Sequence, residues 1–238
     1  MIRVYCDFDG TITTQDIGNA LFRRYAGDRA VQIVQRYLSG EITAPECFVA
    51  ECDAVENLTR AELESFVDHF VPDPSFHSFV QFCAANQIPL TIVSDGFDVY
   101  VERFLKNHGL DQLPFYSNQL EFLEEGRRTR IRPVFPYTDS ECPRCANCKR
   151  NHLLRLSGDD DLIVYIGDGY SDRCPARYAD VVFAKQELIP YCQSQNITYH
   201  EFRTFADVQS LLEELVKKKG VKQRREAKMA RRDVFLQG

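Results

Sequence analysis

The stretch VYCDFDGTIT, Val4–Thr13, carries an apolar strand straight into two carboxylates, Asp7 and Asp9. Like charges this close repel, and a buried carboxylate is costly unless something pairs with it. Either both face solvent in a turn, or a cation and an electrophile stand beside them. Two further stretches have the same build: PLTIVSDG (Pro89–Gly96) and LIVYIGDGYSD (Leu162–Asp172). Each is short, apolar and rich in Ile, Val or Tyr before it reaches its acids. That composition suits strands covered on both faces, as in a parallel sheet.

Working outward, DVVFAK (Asp180–Lys185) and ITYHEF (Ile197–Phe202) also read as strands. Helical patterns lie between them. Ser75–Gln87 gathers Phe76, Phe79, Val80 and Cys83 on one face, and Phe97–Gly109 closes on a C-cap glycine. Strands alternating with helices imply an α/β fold, a Rossmann-like parallel sheet with right-handed crossovers. Two regions break the rhythm. Residues 12–74 are mostly helical and too long for one crossover, so they read as a small helical cap inserted after the first strand. Within 116–148, the run NQLEFLEEGRRTRIRPVF reads as a short hairpin turning near Gly126, followed by a cysteine-rich segment. The core is then 1–11 and 75–238, ending in a basic tail, 217–238.

The 238 residues are 44% hydrophobic and 27% charged, ordinary for a globular chain. No apolar run reaches the roughly 18 residues that span a bilayer, so no membrane is expected as a partner. The N-terminus lacks the charged and apolar regions of a signal peptide. With nine cysteines, an odd number, this argues for reduced thiols in a cytoplasmic protein. Cys6, Cys47, Cys52, Cys83, Cys174 and Cys192 read as small buried hydrophobes. The net charge is −6, yet Lys217–Arg232 holds nine basic residues and one acid. The remaining body is strongly acidic, which excludes a broad nucleic-acid-binding face. The tail reads as a solvated, frayed helix, or as a contact for an anionic partner.

In an open parallel sheet, ligands bind at the carboxyl ends of the strands. Asp7, Asp9, Ser94, Asp168 and Asp172 are therefore expected to converge, although each motif alone could be a turn signal. A nucleophilic carboxylate can split phosphate-ester hydrolysis into two steps through a covalent intermediate. An anion approaching an anionic ester needs cations, and Mg2+ prefers a few carboxylates with water and phosphate oxygens.

The set DFDGT, SDG, a downstream lysine and GDGYSD resembles the four motifs of the haloacid dehalogenase superfamily of phosphatases, and the likeness covers the whole core. It implies that Asp7 is the nucleophile and Asp9 the general acid and then base. Thr11, Ser94, Asp95 and Gly96 would support the phosphoryl group. Asp7, Asp168 and the carbonyl of Asp9 would bind Mg2+, with Asp172 orienting the ion or its waters. Lys149, which opens the helix KRNHLLRL, would be the lysine of the set; Lys106 and Lys185 compete with it.

ECPRCANCK places Cys142, Cys145 and Cys148 at two-residue spacing. With His152 these could hold Zn2+, since structural zinc takes four ligands; the alternative is reduced thiols packing a tight loop. DFDGTITTQD, CPRCANCK and IGDGYSDRCPA together resemble the branch of methionine-salvage phosphatases acting on 2-hydroxy-3-keto-5-methylthiopentenyl-1-phosphate. That branch neighbours the phosphoserine and phosphocholine phosphatases. Where phosphoserine phosphatases have a Glu that meets the substrate amine, this chain has Asp16, one methylene shorter. Asp16, Asn19 and Arg23 are the candidate substrate contacts in the cap. The leading expectation is a Mg2+-dependent phosphomonoesterase for a small phosphate monoester. A phosphotransferase using the same aspartyl-phosphate and a silent phospho-ligand-binding module are the other readings.

Overall fold

A computed structural model describes residues 1–126, 128–218 and 222–237. The chain begins with β1 (Ile2–Cys6) and four helices: α1 (Ile17–Ala26), α2 (Asp28–Leu38), α3 (Ala44–Ala54) and α4 (Arg60–Val67). Then come α5 (Phe76–Ala85), β2 (Leu90–Phe97), α6 (Asp98–Asn107), β3 (Phe115–Glu125) and β4 (Arg128–Val134). The remainder runs α7 (Lys149–Leu156), β5 (Leu162–Gly167), a 3-10 turn at Tyr170–Asp172, α8 (Arg173–Tyr178) and β6 (Val181–Ala184). It ends with α9 (Leu188–Ser194), β7 (His200–Glu201), α10 (Phe205–Lys217) and α11 (Arg225–Gln237). Two compact units result. One is Met1–Ile12, Pro72–Val93 and Lys149–Gly238; the other is Thr13–Val71 and Ser94–Cys148. Among the described residues, no helix is long and apolar enough to cross a membrane.

In the first unit, β1 pairs in parallel with β2 (Cys6↔Ile92) and with β5 (Cys6↔Ile166). Outward from β5, β6 adds at Val164↔Val181 and β7 at Phe183↔His200, both parallel. Val4, Tyr5 and Cys6 and all six residues of β5 are buried, as expected of strands covered on both faces. The register brings the ends of β1 and β5 level, and the Asp7 amide donates to Ile166 O at 2.9 Å. Helices α5 and α10 meet through aromatic rings, with Phe76–Phe205 and Phe79–Phe205 centroids 4.7 and 5.1 Å apart. Burying each such ring stabilises by about 1.5–3 kcal/mol. Asp73, itself buried, ties this layer together by accepting from the Ser75 amide (2.9 Å) and the Phe205 amide (3.3 Å).

The basic tail is anchored rather than wholly solvated, although residues 219–221 and 238 lie outside the described residues. The Arg224 amide and the Arg231 guanidinium donate to Asp180 Oδ1 at 3.0 and 3.1 Å. Arg224 Nη2 also donates to Ala176 O and Arg177 O, and Arg231 Nη1 to Tyr178 O. Cations are favoured at the free carbonyls that end a helix, here those of α8.

The second unit holds α1–α4, the end of β2, α6 and the β3–β4 hairpin. The helical stretch read as 12–74 and the segment 116–148 fall in this unit, but for boundary residues 12 and 72–74. Thr43 with Glu46 and Thr59 with Glu62 form capping boxes that start α3 and α4. The hairpin is antiparallel from Gln119↔Val134 to Glu125↔Arg128. Phe97 is the hub of its core, with Phe48 5.3 Å and Phe22 and Tyr100 6.3 Å away.

Candidate active site

Strands β1 and β5 deliver the acids. Asp7 follows the last residue of β1, and Asp168 follows the last residue of β5. Beyond Asp7 the chain curls, with Phe8 O accepting from the amides of Thr11 (3.2 Å) and Ile12 (2.9 Å). Gly10, inside that curl, has φ +73°, and a Cβ there would stand 2.6 Å from Asp168 Oδ2. Glycine is required twice over, by backbone sign and by space. The curl also aims the buried Thr11 hydroxyl at Asp168 Oδ1, 3.1 Å away. Asp9 lies half-buried in the same turn.

Lys149 is the first residue of α7, and its side chain is only 1% exposed. A cation at a helix N-terminus is disfavoured by the helix dipole, so a buried one needs strong partners. It has them. Nζ donates to Asp7 Oδ1 at 2.6 Å, Asp172 Oδ1 at 2.7 Å and Ser171 Oγ at 2.9 Å. Asp172, fully buried, also accepts from the Tyr165 hydroxyl at 2.5 Å on Oδ1. The amides of Asp168 and Gly169 donate to its Oδ2, each at 2.9 Å. Gly167 makes room for this carboxyl: a Cβ there would lie 2.5 Å from Asp172 Cγ.

Asp7, Asp168 and Asp172 each offer an oxygen within 4.8 Å of the others, and one ammonium cannot balance three carboxylates. Burial and then the charge of Asp172 push Asp7 well above the usual carboxylate range, against the pull of Lys149. The same two causes raise Asp168 to about 6. Carboxylates crowded in a buried cleft and short of positive charge suit a hard divalent cation such as Mg2+. The donor set therefore fits that ion.

The remaining candidates are divided between the two units. Ser94, Asp95 and Gly96 belong to the second unit, at the end of β2. There the Gly96 amide donates to Ser94 Oγ at 2.9 Å. Asn147 Nδ2 bridges Ser94 O (2.7 Å) and Tyr116 O (3.1 Å), while Asn118 Nδ2 holds Asp95 O. Asp16 caps α1, accepting from the Asn19 amide at 2.7 Å, and Arg23 is exposed in the last turn of that helix. Lys106 is exposed on α6, whereas Lys185 Nζ donates to Thr11 O at 3.4 Å.

Cys142 and Cys145 are half-buried and Cys148 buried, all in the second unit and none in a disulfide; His152 is on α7 in the first. Among the described residues, the acidic trio is the only set of three or more His, Cys, Asp or Glu side chains grouped closely enough to hold a metal. The loop is instead shaped by Asp139 Oδ1, which accepts from the Glu141 and Cys142 amides at 2.9 and 3.1 Å. Burial, and then Arg155, lower His152 to about 4 and keep it neutral. Sequence reasoning missed Tyr165, Ser171 and Asn147. All three lie inside quoted motifs, where only the acids, the cysteines and Lys149 drew notice.

The model of the haloacid dehalogenase-like hydrolases matches residues 4–177. A 2-hydroxy-3-keto-5-methylthiopentenyl-1-phosphate phosphatase of Bacillus cereus (strain B4264) is 32% identical over 221 residues, covering 92% of this chain and 99% of its own. The enzyme of the same name from Bacillus thuringiensis (strain Al Hakam) matches at 32% over the same shares. Among solved structures, a phospho-aspartyl intermediate analogue of phosphoserine phosphatase superposes with a TM-score of 0.66 at 15% identity, over 90% of this chain and 99% of that one. A substrate-bound phosphoserine phosphatase gives 0.67 at 16%, over 89% and 98%. At such identities the structural likeness speaks for the fold.

Proposed function

Since the chain belongs to the haloacid dehalogenase-like hydrolases, we propose that it is a Mg2+-dependent phosphomonoesterase whose substrate is 2-hydroxy-3-keto-5-methylthiopentenyl-1-phosphate. The observation that carries the catalytic reading is the buried Asp7–Lys149–Asp172 chain, with Asp168 beside it. Relatives of that name, matched along nearly their whole length, support the choice of substrate.

Lys149 holds Asp7 Oδ1, so that Asp7 presents its other oxygen to phosphorus. Attack forms an aspartyl-phosphate and releases the alkoxide, which Asp9 protonates. Asp9 then takes a proton from the water that attacks phosphorus, restoring Asp7 and freeing phosphate. Asp172 keeps the Lys149 ammonium in place and is itself held by Tyr165 and two backbone amides. Asp7, Asp168 and the Asp9 carbonyl, with Asp172 orienting them, would hold a divalent ion, which would supply the positive charge that phosphoryl oxygens need.

The test is turnover with Mg2+ of that ester beside phosphoserine and phosphocholine, with Asp7→Asn as control. The methylthio ester is expected to give the highest kcat/KM, and Asp7→Asn to abolish all turnover. Higher kcat/KM for phosphoserine or phosphocholine would overturn the substrate. Turnover that survives in Asp7→Asn would overturn the mechanism.

A further inference from the structure

The three donors of the Lys149 ammonium meet Asp7, Asp172 and Ser171. Asp168, the third carboxylate of the cluster, accepts instead from the Thr11 hydroxyl, which carries no charge. A second lysine of the same unit supplies the missing positive charge.

Sheet register brings that lysine to Asp168. The pairing of β5 with β6 ends at Gly167↔Ala184, so its next step sets Lys185 beside Asp168. The backbone follows suit. The Lys185 amide donates to Gly167 O at 3.2 Å, and the Leu188 amide to Asp168 O at 2.8 Å. Between them Gln186, at φ +49°, turns the chain off the strand. The half-buried Lys185 side chain is fixed from two directions. Its Nζ stands over the buried Phe202 ring, 5.0 Å from the centroid, and donates to Thr11 O at 3.4 Å. Thr11 in turn donates from Oγ1 to Asp168 Oδ1 at 3.1 Å.

An ammonium has no lone pair, so Lys185 is not a metal ligand. It acts by charge, in a place where water screens poorly. Burial and then Asp172 raise Asp168; the Thr11 hydroxyl, then Lys185 and then Lys149 pull it back. Lys185 thus offsets Asp168 more than the lysine inside the cluster does. The same charge repels a divalent ion that Asp168 holds.

We propose that Lys185 is a standing counter-ion of the carboxylate cluster: it steadies Asp168 while no divalent ion is bound, and weakens the hold on that ion once it arrives. The proposal rests on the Mg2+ reading of the site. Its consequence is an empty site that does not repel itself apart and a bound ion that stays exchangeable.

The test is calorimetric titration of Mg2+ alone into the metal-free protein, joined to thermal unfolding in EDTA and in saturating Mg2+. Lys185→Met keeps an unbranched stem against Phe202 and removes the charge. It is expected to bind Mg2+ about tenfold more tightly than the wild type, the scale of removing one nearby like charge from a partly buried divalent site. Its unfolding midpoint should lie below the wild type in EDTA, and the gap should close in saturating Mg2+, because an ion that binds more tightly stabilises more. Lys185→Arg, which keeps the charge, should bind Mg2+ as the wild type does. A lysine that merely packs the turn gives the opposite sign, since a loosened Asp168 holds the ion less well. With a wild type that binds Mg2+, equal or weaker binding by Lys185→Met, a stability loss that Mg2+ does not repair, or tightening in Lys185→Arg would each overturn the proposal alone. A wild type that takes up no Mg2+ would overturn the reading of the site, and the proposal with it.

Discussion

Lys149 Nζ lies 2.6 Å from Asp7 Oδ1, joining residues 142 positions apart inside a site where both side chains are almost wholly buried. A pair so placed is unforgiving. Removing one partner leaves the other charged and uncompensated. Lys149→Met is therefore expected to cut kcat/KM by about 10²–10³, the scale of losing one electrostatic donor. Lys149→Arg should not rescue it, because a planar fork cannot take the place of a compact ammonium with three acceptors. Steady-state kinetics on an alkyl phosphate check both.

Tyr165 acts through Asp172. Its hydroxyl is one of four donors that fix the carboxylate. Tyr165→Phe should cost about 1–2 kcal/mol of stability by thermal or urea unfolding. It should also raise the Mg2+ concentration for half-maximal activity about tenfold, as removal of outer partners of metal-binding groups does. Unchanged Mg2+ dependence would mean that Asp172 is held well enough without it.

Gly10, in the turn after β1, leaves no room for a side chain beside Asp168. Gly10→Ala combines an unfavourable backbone sign, about 1–2 kcal/mol, with a Cβ 2.6 Å from Asp168 Oδ2. Lower thermal stability and at least a tenfold loss of kcat are expected together. Gly109→Ala, which has φ +65° and no atom within 4 Å of its Cβ, should show the stability loss without the loss of kcat.

Asp161 sets one limit of acid stability. Burial alone would raise its carboxyl, but hydrogen bonds from the Met1 ammonium, Arg3 and the Gly158 amide prevail and hold it at about 2. A carboxyl lowered in the folded state stabilises above its unfolded pKa of about 3.9 and loses that contribution as pH falls toward the folded value. Discounting for the exposed Met1 end, the contribution is about 1–2 kcal/mol. Asp161→Asn should lower stability by that amount at pH 7 and by little near pH 2, read from denaturant midpoints across pH.

The parts of the molecule legible in its sequence are those where one strand ends in an acid. Asp7 and Asp168 were readable because the apolar runs before them fix where β1 and β5 stop, and parallel pairing brings their ends level. Tyr165 was not, because a tyrosine inside an apolar strand looks like core until its hydroxyl is found against Asp172. The run Ile197–Phe202 became only the two-residue β7, a short edge that invites no further pairing. The anchoring of Arg224 and Arg231 was invisible because their acceptors are mainly backbone carbonyls that only the end of α8 exposes.

The central claim is that Asp7 carries the phosphoryl group. Acid-quenching the enzyme during turnover and reducing with borohydride converts an acyl phosphate into an alcohol, and peptide mass spectrometry then locates it. Homoserine at position 7, with position 9 unchanged, is the expected result. An unmodified Asp7 peptide from enzyme that is turning over substrate, or the alcohol at any other carboxylate, would contradict the account.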